Sequence, residues 1–193
     1  MTPSVSTDQR EIKINYLFFY GHQPNTPHGY LSQWYPCAFK DDEGHSFCSA
    51  EQFMMYQKAM LFKDAEIAKK VLRSKVQKTI KGLGRQVKGF DEKTWATKRE
   101  EIVFNGNYYK FTQNKGLLRA LLGIPIGTVF VEASPTDCIW GIGFSSAMAL
   151  NNKNKWGLNL LGKALTQLHY RLHTMPTDEI NQMLIIANDT PDV

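Results

Sequence analysis

Cysteine is scarce in this chain: three residues among 193, at positions 37, 48 and 138, an odd number that makes no disulfide framework. The sequence also lacks any uninterrupted apolar run of about 18 residues, the length that a membrane span requires. Its first ten residues hold no apolar signal core. These absences together predict an intracellular, cytoplasmic protein with no membrane partner, the nucleus being the other compartment open to it. There is no internal repeat, no linker composition between two halves, and no block of consecutive like charges. Metal ligands are thin as well. Cys37, His45 and Cys48 lie close in sequence, but their spacing matches no standard zinc pair and a fourth ligand is missing, so they read as packed thiols. Neither a metal nor a cofactor is expected. Lys81-Gly82-Leu83-Gly84-Arg85 has glycines that let backbone approach a phosphate, yet it lacks the preceding strand and the full spacing of a nucleotide-binding fingerprint.

What is present fits one globular domain with a sizeable core. Residues 1–12 lack apolar periodicity and read as a loose tail, leaving 13–193 as a single catalytic domain. The formal charge of +5 calls for an anionic partner: a phosphorylated metabolite, a nucleotide or nucleic acid. Basic residues concentrate between Lys69 and Lys88, as either a solvated helical face or a binding surface.

The stretch Cys48 to Ala59 organises the chain. Ser49 caps a helix with Gln52 three residues on, which places Glu51 in the first turn and Lys58 two turns later on nearly the same face. An acid and an amine thus look the same way from a mostly apolar helix; a solvated face is the plain alternative. Ile14 to Tyr20 reads as a strand, and Gly21 to Tyr35 as a loop whose Tyr30, Trp34 and Tyr35 either stack on a base or anchor the core. Residues 37–39 and 46–47 flank an acidic turn and predict a hairpin. Helices are expected over Asp64 to Arg73 and then to Ile80, over Thr94 to Phe111 with Asp91 as cap, and over Gly116 to Leu122 after Asn114. Thr128 to Ala133 is a strand with Glu132 on the side of Phe130, followed by a turn-rich loop to Gly143. Asn159 to Leu172 and Thr177 to Ala187 complete the helices. The sum is a helix-rich α+β domain around a small sheet.

In order along the chain, Leu31-Ser32-Gln33-Trp34, Ser49-Ala50-Glu51-Gln52-Phe53 with Lys58, Trp95 with Arg99, Lys110-Phe111 and Leu121-Leu122 resemble segments of the NADAR family. So do Glu132-Ala133-Ser134, Asp137 to Gly143, and Gly157-Leu158-Asn159-Leu160-Leu161-Gly162. The resemblance spans residues 17 to 172 and implies a NADAR-like fold with N-glycosidase chemistry at a ribose C1–N bond. The implied substrate is ADP-ribose on guanine of DNA or RNA; phosphoribosyl-aminopyrimidine intermediates of riboflavin synthesis are the alternative, and a non-catalytic ADP-ribose-binding module a third reading. It implies Glu51, Lys58, Trp95, Asp137 and Trp140 at the active site; by their chemistry Glu51, Lys58 and Asp137 are the catalytic candidates, Lys58 as nucleophile through a Schiff base or as an ion-pair partner that orients Glu51, Glu51 moving protons and Asp137 holding ribose hydroxyls. Substrate contacts are expected from Ser32, Trp34, Trp95, Arg99, Glu132, Trp140, Gly141, Gly143 and Asn159. Gln33-Trp34 and Gln52 depart from the family's more frequent Asn-Phe and His, at positions expected near the substrate rim.

Overall fold

The computed structural model describes residues 14–23 and 25–188, so the expected tail over 1–12 lies outside the described residues. Its elements are β1 (Tyr16–Phe19), β2 (Phe39–Lys40), β3 (Ser46–Phe47), α1 (Ala50–Leu61), α2 (Ala65–Arg73), α3 (Gln77–Gly84), α4 (Glu92–Thr112) and α5 (Lys115–Leu122), then β4 (Val129–Glu132), α6 (Ser146–Ala149), α7 (Leu160–Thr174) and α8 (Thr177–Ile186). This is the helix-rich α+β fold that the sequence predicts.

Helix α1 starts where a local hydrogen-bond donor has an acceptor waiting. The Ser49 hydroxyl accepts from Gln52 N at 3.1 Å, while the Gln52 side chain reaches back past Ser49 to accept from Cys48 N at 2.7 Å. The same amide then donates to the carbonyls of Val71, Leu72 and Ser74 at the end of α2, at 2.9, 3.2 and 2.7 Å. Gln52 is therefore wholly buried and welds α1 to α2, rather than standing at a substrate rim. Gln33 is buried too, its side-chain carbonyl accepting from Asn107 Nδ2 of α4 at 2.8 Å. Helix α4 crosses α1 where Gly106 leaves room for Phe53, whose ring would lie 2.7 Å from any Cβ placed there.

Lys81 to Gly84, where two glycines drew notice in the sequence as room for a phosphate, belongs to α3. Its helical conformation follows from packing: Gly84 lies so close to Met55 of α1 that no side chain fits between them, and Ile80 is fully buried on the same side. Tertiary contact here outweighs the low helix propensity of two glycines.

The main sheet has two strands, β1 and β4, parallel, with Tyr16 opposite Val129 and Phe19 opposite Glu132. A parallel pair needs a crossover, and α1 to α5 supply it. Side chains take the place of a third strand along the outer edge of β4. Asn159 Nδ2 donates to Phe130 O and its Oδ1 accepts from Glu132 N, each at 3.0 Å, while Thr166 Oγ1 accepts from Phe130 N at 3.0 Å. Alternation divides β4 as expected: Phe130 joins the main core, and Val131 joins a smaller cluster with Ile142 and Ala149 on the other face. That second face is covered by α6 and a 3-10 segment, Leu150–Lys155, whose polar composition gave no helical signal in the sequence. Trp156 fastens it, donating from its indole to Ala149 O at 2.8 Å and packing edge-on to Tyr16 and Phe18.

Replacing Gln52 with Leu removes the bonds to three carbonyls at the end of α2, of which Val71 O keeps the Ser74 N–H, and takes the acceptor from the Cys48 N–H ahead of α1. We expect a loss of about 3 kcal/mol in stability, read as a lower urea midpoint with unchanged slope.

Candidate active site

The carboxyl ends of β1 and β4 open a cavity of ≈ 410 Å³, within the size range of small-ligand sites. Tyr20 to Gln23 leave β1 along one wall, and Glu132, Ser134, Thr136 and Asp137 leave β4 along the other. Ser32 and Trp34 come from the loop before the hairpin, and Lys81 from α3. A larger cavity of ≈ 570 Å³ lies between the β2–β3 hairpin and the end of α8, but its lining holds no carboxylate and only Lys40 as a charged group. The carboxyl groups singled out from the sequence gather at the smaller one.

Glu51 adjoins this cavity from the first turn of α1 and is 3% exposed. Its N–H donates to Gln33 O at 2.9 Å, and its carboxyl accepts a hydrogen bond from the Trp34 side chain. Burial pushes its pKa up to about 7, against the lowering effects of the Lys81 charge and the Trp34 bond. Glu132 is pushed up to about 8, first by burial and then by the Asp137 and Glu51 charges; Lys81 opposes this. The Glu132 Oε2 is buried without a hydrogen-bond partner. Asp137 is held at the head of its turn by Oδ1, which accepts from Ile139 N at 2.9 Å and Trp140 N at 2.8 Å. Three carboxyls and one amine thus meet, two of the acids holding protons near neutrality. That is the equipment for moving a proton onto a leaving group and stabilising positive charge beside it.

Lys110 supports this wall from inside α4. It is fully buried, donates from Nζ to Ser32 O at 2.8 Å, and has its pKa brought down to about 8 by burial. The backbone that carries Ser32 and Trp34 is therefore anchored by a charge-assisted bond.

The other residues singled out in the sequence lie around this centre. Lys58 is half-buried with Nζ 4.1 Å from the Phe90 ring centroid and 5.7 Å from that of Trp95. Burial lowers its pKa, Glu92 opposes, Arg85 lowers it further, and the Glu51 charge acts more weakly. Arg99 donates to Glu92 Oε1 at 3.0 Å, and Trp95 is buried in the core. Lys58, Trp95 and Arg99 form a second group about Glu92, off the cavity lining, joined to it through Arg85, whose charge bears on both Glu51 and Lys58. Trp140 is half-buried against the main core. Gly141 lets its loop close on β4, since a Cβ there would lie 2.7 Å from Glu132 O; Gly143 sits at φ 76°. Asn159 gives its side chain to β4, and the N–H groups of Asn159, Leu160 and Leu161 donate to carbonyls of Gly141, Ile139 and Trp140. The start of α7 spends its donors on the loop that bears Asp137.

Lys81 and Lys110 were not singled out as site residues. Lys81 stands in the basic run beside two glycines, and Lys110 in a long helix and in the family segment Lys110-Phe111, with no role implied for it; none of these signals separates a pocket amine from a surface one. Cys37 and Cys48 are neighbours through a backbone bond of 3.0 Å, and burial pushes the Cys37 thiol up to about 11. Asp41, Glu43 and His45 form a trio able to hold a metal among the described residues, away from the cavity in the hairpin turn, where Asp41 already accepts from His45 N at 2.8 Å. We expect activity to survive excess EDTA; loss restored by one added metal would overturn this.

The raised carboxyl values carry a pH dependence. In the unfolded chain each Glu titrates near its ordinary 4.5, whereas in the fold Glu51 and Glu132 hold their protons to about 7 and 8. Between these limits the native state binds more protons, so their contribution is full below about pH 4.5 and is lost as pH rises through 7 to 8. Glu132→Gln, which keeps the neutral form, should therefore raise Tm at pH 8.5 by roughly 5 °C and leave it little changed at pH 5, as measured by calorimetry.

The fold and family of this arrangement are matched elsewhere. The solution structure of the Escherichia coli protein YbiA superimposes with a TM-score of 0.67 at 23% identity, covering 86% of this chain and 90% of that one, a likeness of fold. An N-glycosidase of Acanthamoeba polyphaga mimivirus is 43% identical over 160 residues, 79% of this chain and 94% of its own length. Protein irg-1 of Caenorhabditis elegans is 34% identical over 173 residues, 81% of each chain. A riboflavin biosynthesis protein of Vibrio vulnificus is 31% identical over 127 residues, 66% of this chain and 33% of its own length. The NADAR domain model matches residues 18–173, which takes in the end of β1, all of β4 and the whole cavity lining, and the chain belongs to the NADAR family.

Proposed function

We propose that this protein is an N-glycosidase that hydrolyses the bond between ribose C1 and a base nitrogen, and that its substrate is ADP-ribosylated guanine in nucleic acid. The observation that carries the reading is the pairing of Glu51, which is buried, and Glu132, half-buried with its Oε2 enclosed, both with pKa values raised to about 7 and 8, with Asp137 and Lys81 at one cavity. The identity of 43% to a protein named as an N-glycosidase supports the same chemistry.

Cleavage of a ribosyl C–N bond leaves positive charge on the sugar and requires a proton on the departing nitrogen. Glu51, with a pKa near 7, gives that proton, and the Asp137 carboxylate faces the sugar. Two amines are candidates for the nucleophile. Lys58 is the one the family resemblance indicates; Lys81 is the one that lines the cavity. Attack of a neutral amine on C1 expels the base, the ring oxygen then takes a proton as the ribose opens to a Schiff base, and water releases the sugar. A second reading, hydrolysis of phosphoribosyl-aminopyrimidines, is favoured by the likeness to a riboflavin biosynthesis protein.

The test is a hydrolysis assay on an ADP-ribosylated guanine oligonucleotide and on phosphoribosyl-aminouracil, with products identified by mass. Wild type should release ADP-ribose from the oligonucleotide, and Glu51→Gln should lower kcat about a thousandfold. Activity on the aminouracil compound alone would give the second reading. Borohydride trapping with peptide mapping separates the amines: an adduct on Lys58 or on Lys81 names the nucleophile, and no adduct leaves direct attack by water.

A further inference from the structure

We propose that the outer face of α3, with the turn before it, is a track for single-stranded nucleic acid leading to the cavity at Lys81. The inference rests on the nucleic-acid reading of the site given above. Between Ile67 and Phe90 the chain carries eight Lys and Arg residues and no Asp or Glu, so the net +5 comes from this stretch and the remainder is net negative. Most of these cations make no ion pair among the described residues. Lys70 and Lys88 pair with Glu66, whereas Lys75, Lys78 and Arg85 make no ion pair among the described residues, and all three are exposed.

The helix sets their alignment. Ile80 and Gly84 face α1, the latter against Met55, which turns Lys78 and Arg85, at i and i+7, away from α1 and sets Lys81, at i+3, on the flank between them and the cavity. From Lys78 to Arg85 the axis advances about 10 Å, the length over which a strand presents about three phosphates. Lys81, in the middle, lines the cavity with its Nζ 5.5 Å from the Trp34 ring centroid. Helix stability does not explain the pattern. The first turn of α3 has no acidic residue and places Lys78 at the positive end of the helix dipole, where a carboxylate would be favoured. A phosphate backbone answers that unbalanced charge. A single strand is the form that fits, because a C1–N bond reached inside a cavity of ≈ 410 Å³ requires a base free of its stack.

The experiment uses a fluorescent, unmodified single strand of about 12 nucleotides, titrated with the full chain and with a Lys75→Glu/Lys78→Glu variant at several salt concentrations. Neither residue belongs to the catalytic group. The variant should bind at least about tenfold more weakly at 0.1 M salt, with a log–log salt slope smaller by about 1.4. Its melting temperature and its turnover of ADP-ribosyl-guanosine monophosphate should be unchanged, while KM on the ADP-ribosylated oligonucleotide rises. Equal oligonucleotide binding by wild type and variant, or binding of anionic phospholipid vesicles in its place, would overturn the track. Charge-dependent binding of the unmodified strand without release of ADP-ribose from the modified one would support the track and count against the proposed substrate; turnover of the mononucleotide without such binding would do the reverse.

Discussion

Glu51 carries a carboxyl into a position that is 3% exposed, and much of the surrounding architecture answers that group. The first turn of a helix favours its charged form, as does Lys81, but removal from water opposes both and wins, leaving the proton bound near neutrality. The balance depends on how closely α3 is held to α1. Gly84 allows that approach against Met55, and the Ser49 hydroxyl donates to Gln77 Oε1 at 2.9 Å, so the residue that caps α1 also ties down the start of α3. A shift between these two helices would move the nearest cation relative to the buried acid. Helix packing and proton affinity are one variable here.

The opposite wall is set by a sheet of two strands completed by side chains. Asn159 and Thr166 satisfy the open edge of β4 that another strand would otherwise occupy, which lets α7 lie directly against it. The backbone of the loop from Asp137 to Gly143 is then bonded to the start of α7, so Asp137 stands on a rigid support despite lying outside regular structure. Glu132, the last residue of β4, is placed by the strand itself. Rigid elements hold the acids, as a site must when reacting groups are to be kept within fractions of an ångström.

The cations fall into two neighbourhoods with Arg85 between them. Lys81 is close to Glu51 and Glu132, while Lys58 rests on Phe90 and Trp95 within reach of Glu92. Burial lowers the proton affinity of Lys58, which makes it a better nucleophile than a surface lysine, yet the amine on the cavity wall is Lys81. Arg85 lowers the proton affinity of Glu51 and Lys58 alike, so one fixed charge bears on both neighbourhoods.

The sequence by itself determined what depends on near neighbours. Ser49 and Asp91 marked helix starts because a cap is a bond across a few residues, whereas Asn114 stands at the start of α5 with its amide donating to Ala38 O and Lys110 O instead; alternation along Thr128 to Ala133 marked β4 and the side on which Glu132 lies. Glu51 and Asp137 were legible as candidates for the same local reasons joined to an ordered set of family segments. Only the tertiary structure decided that two glycines continue α3, that Lys81 reaches the cavity while Lys58 stands aside on Phe90, that Gln52 binds the end of α2, and that Asn159 completes an edge of the sheet. Each of these is a contact between residues far apart in the chain. Whether such a side chain meets water, a carboxyl or a backbone edge is settled by what packs against it, which local spacing does not encode.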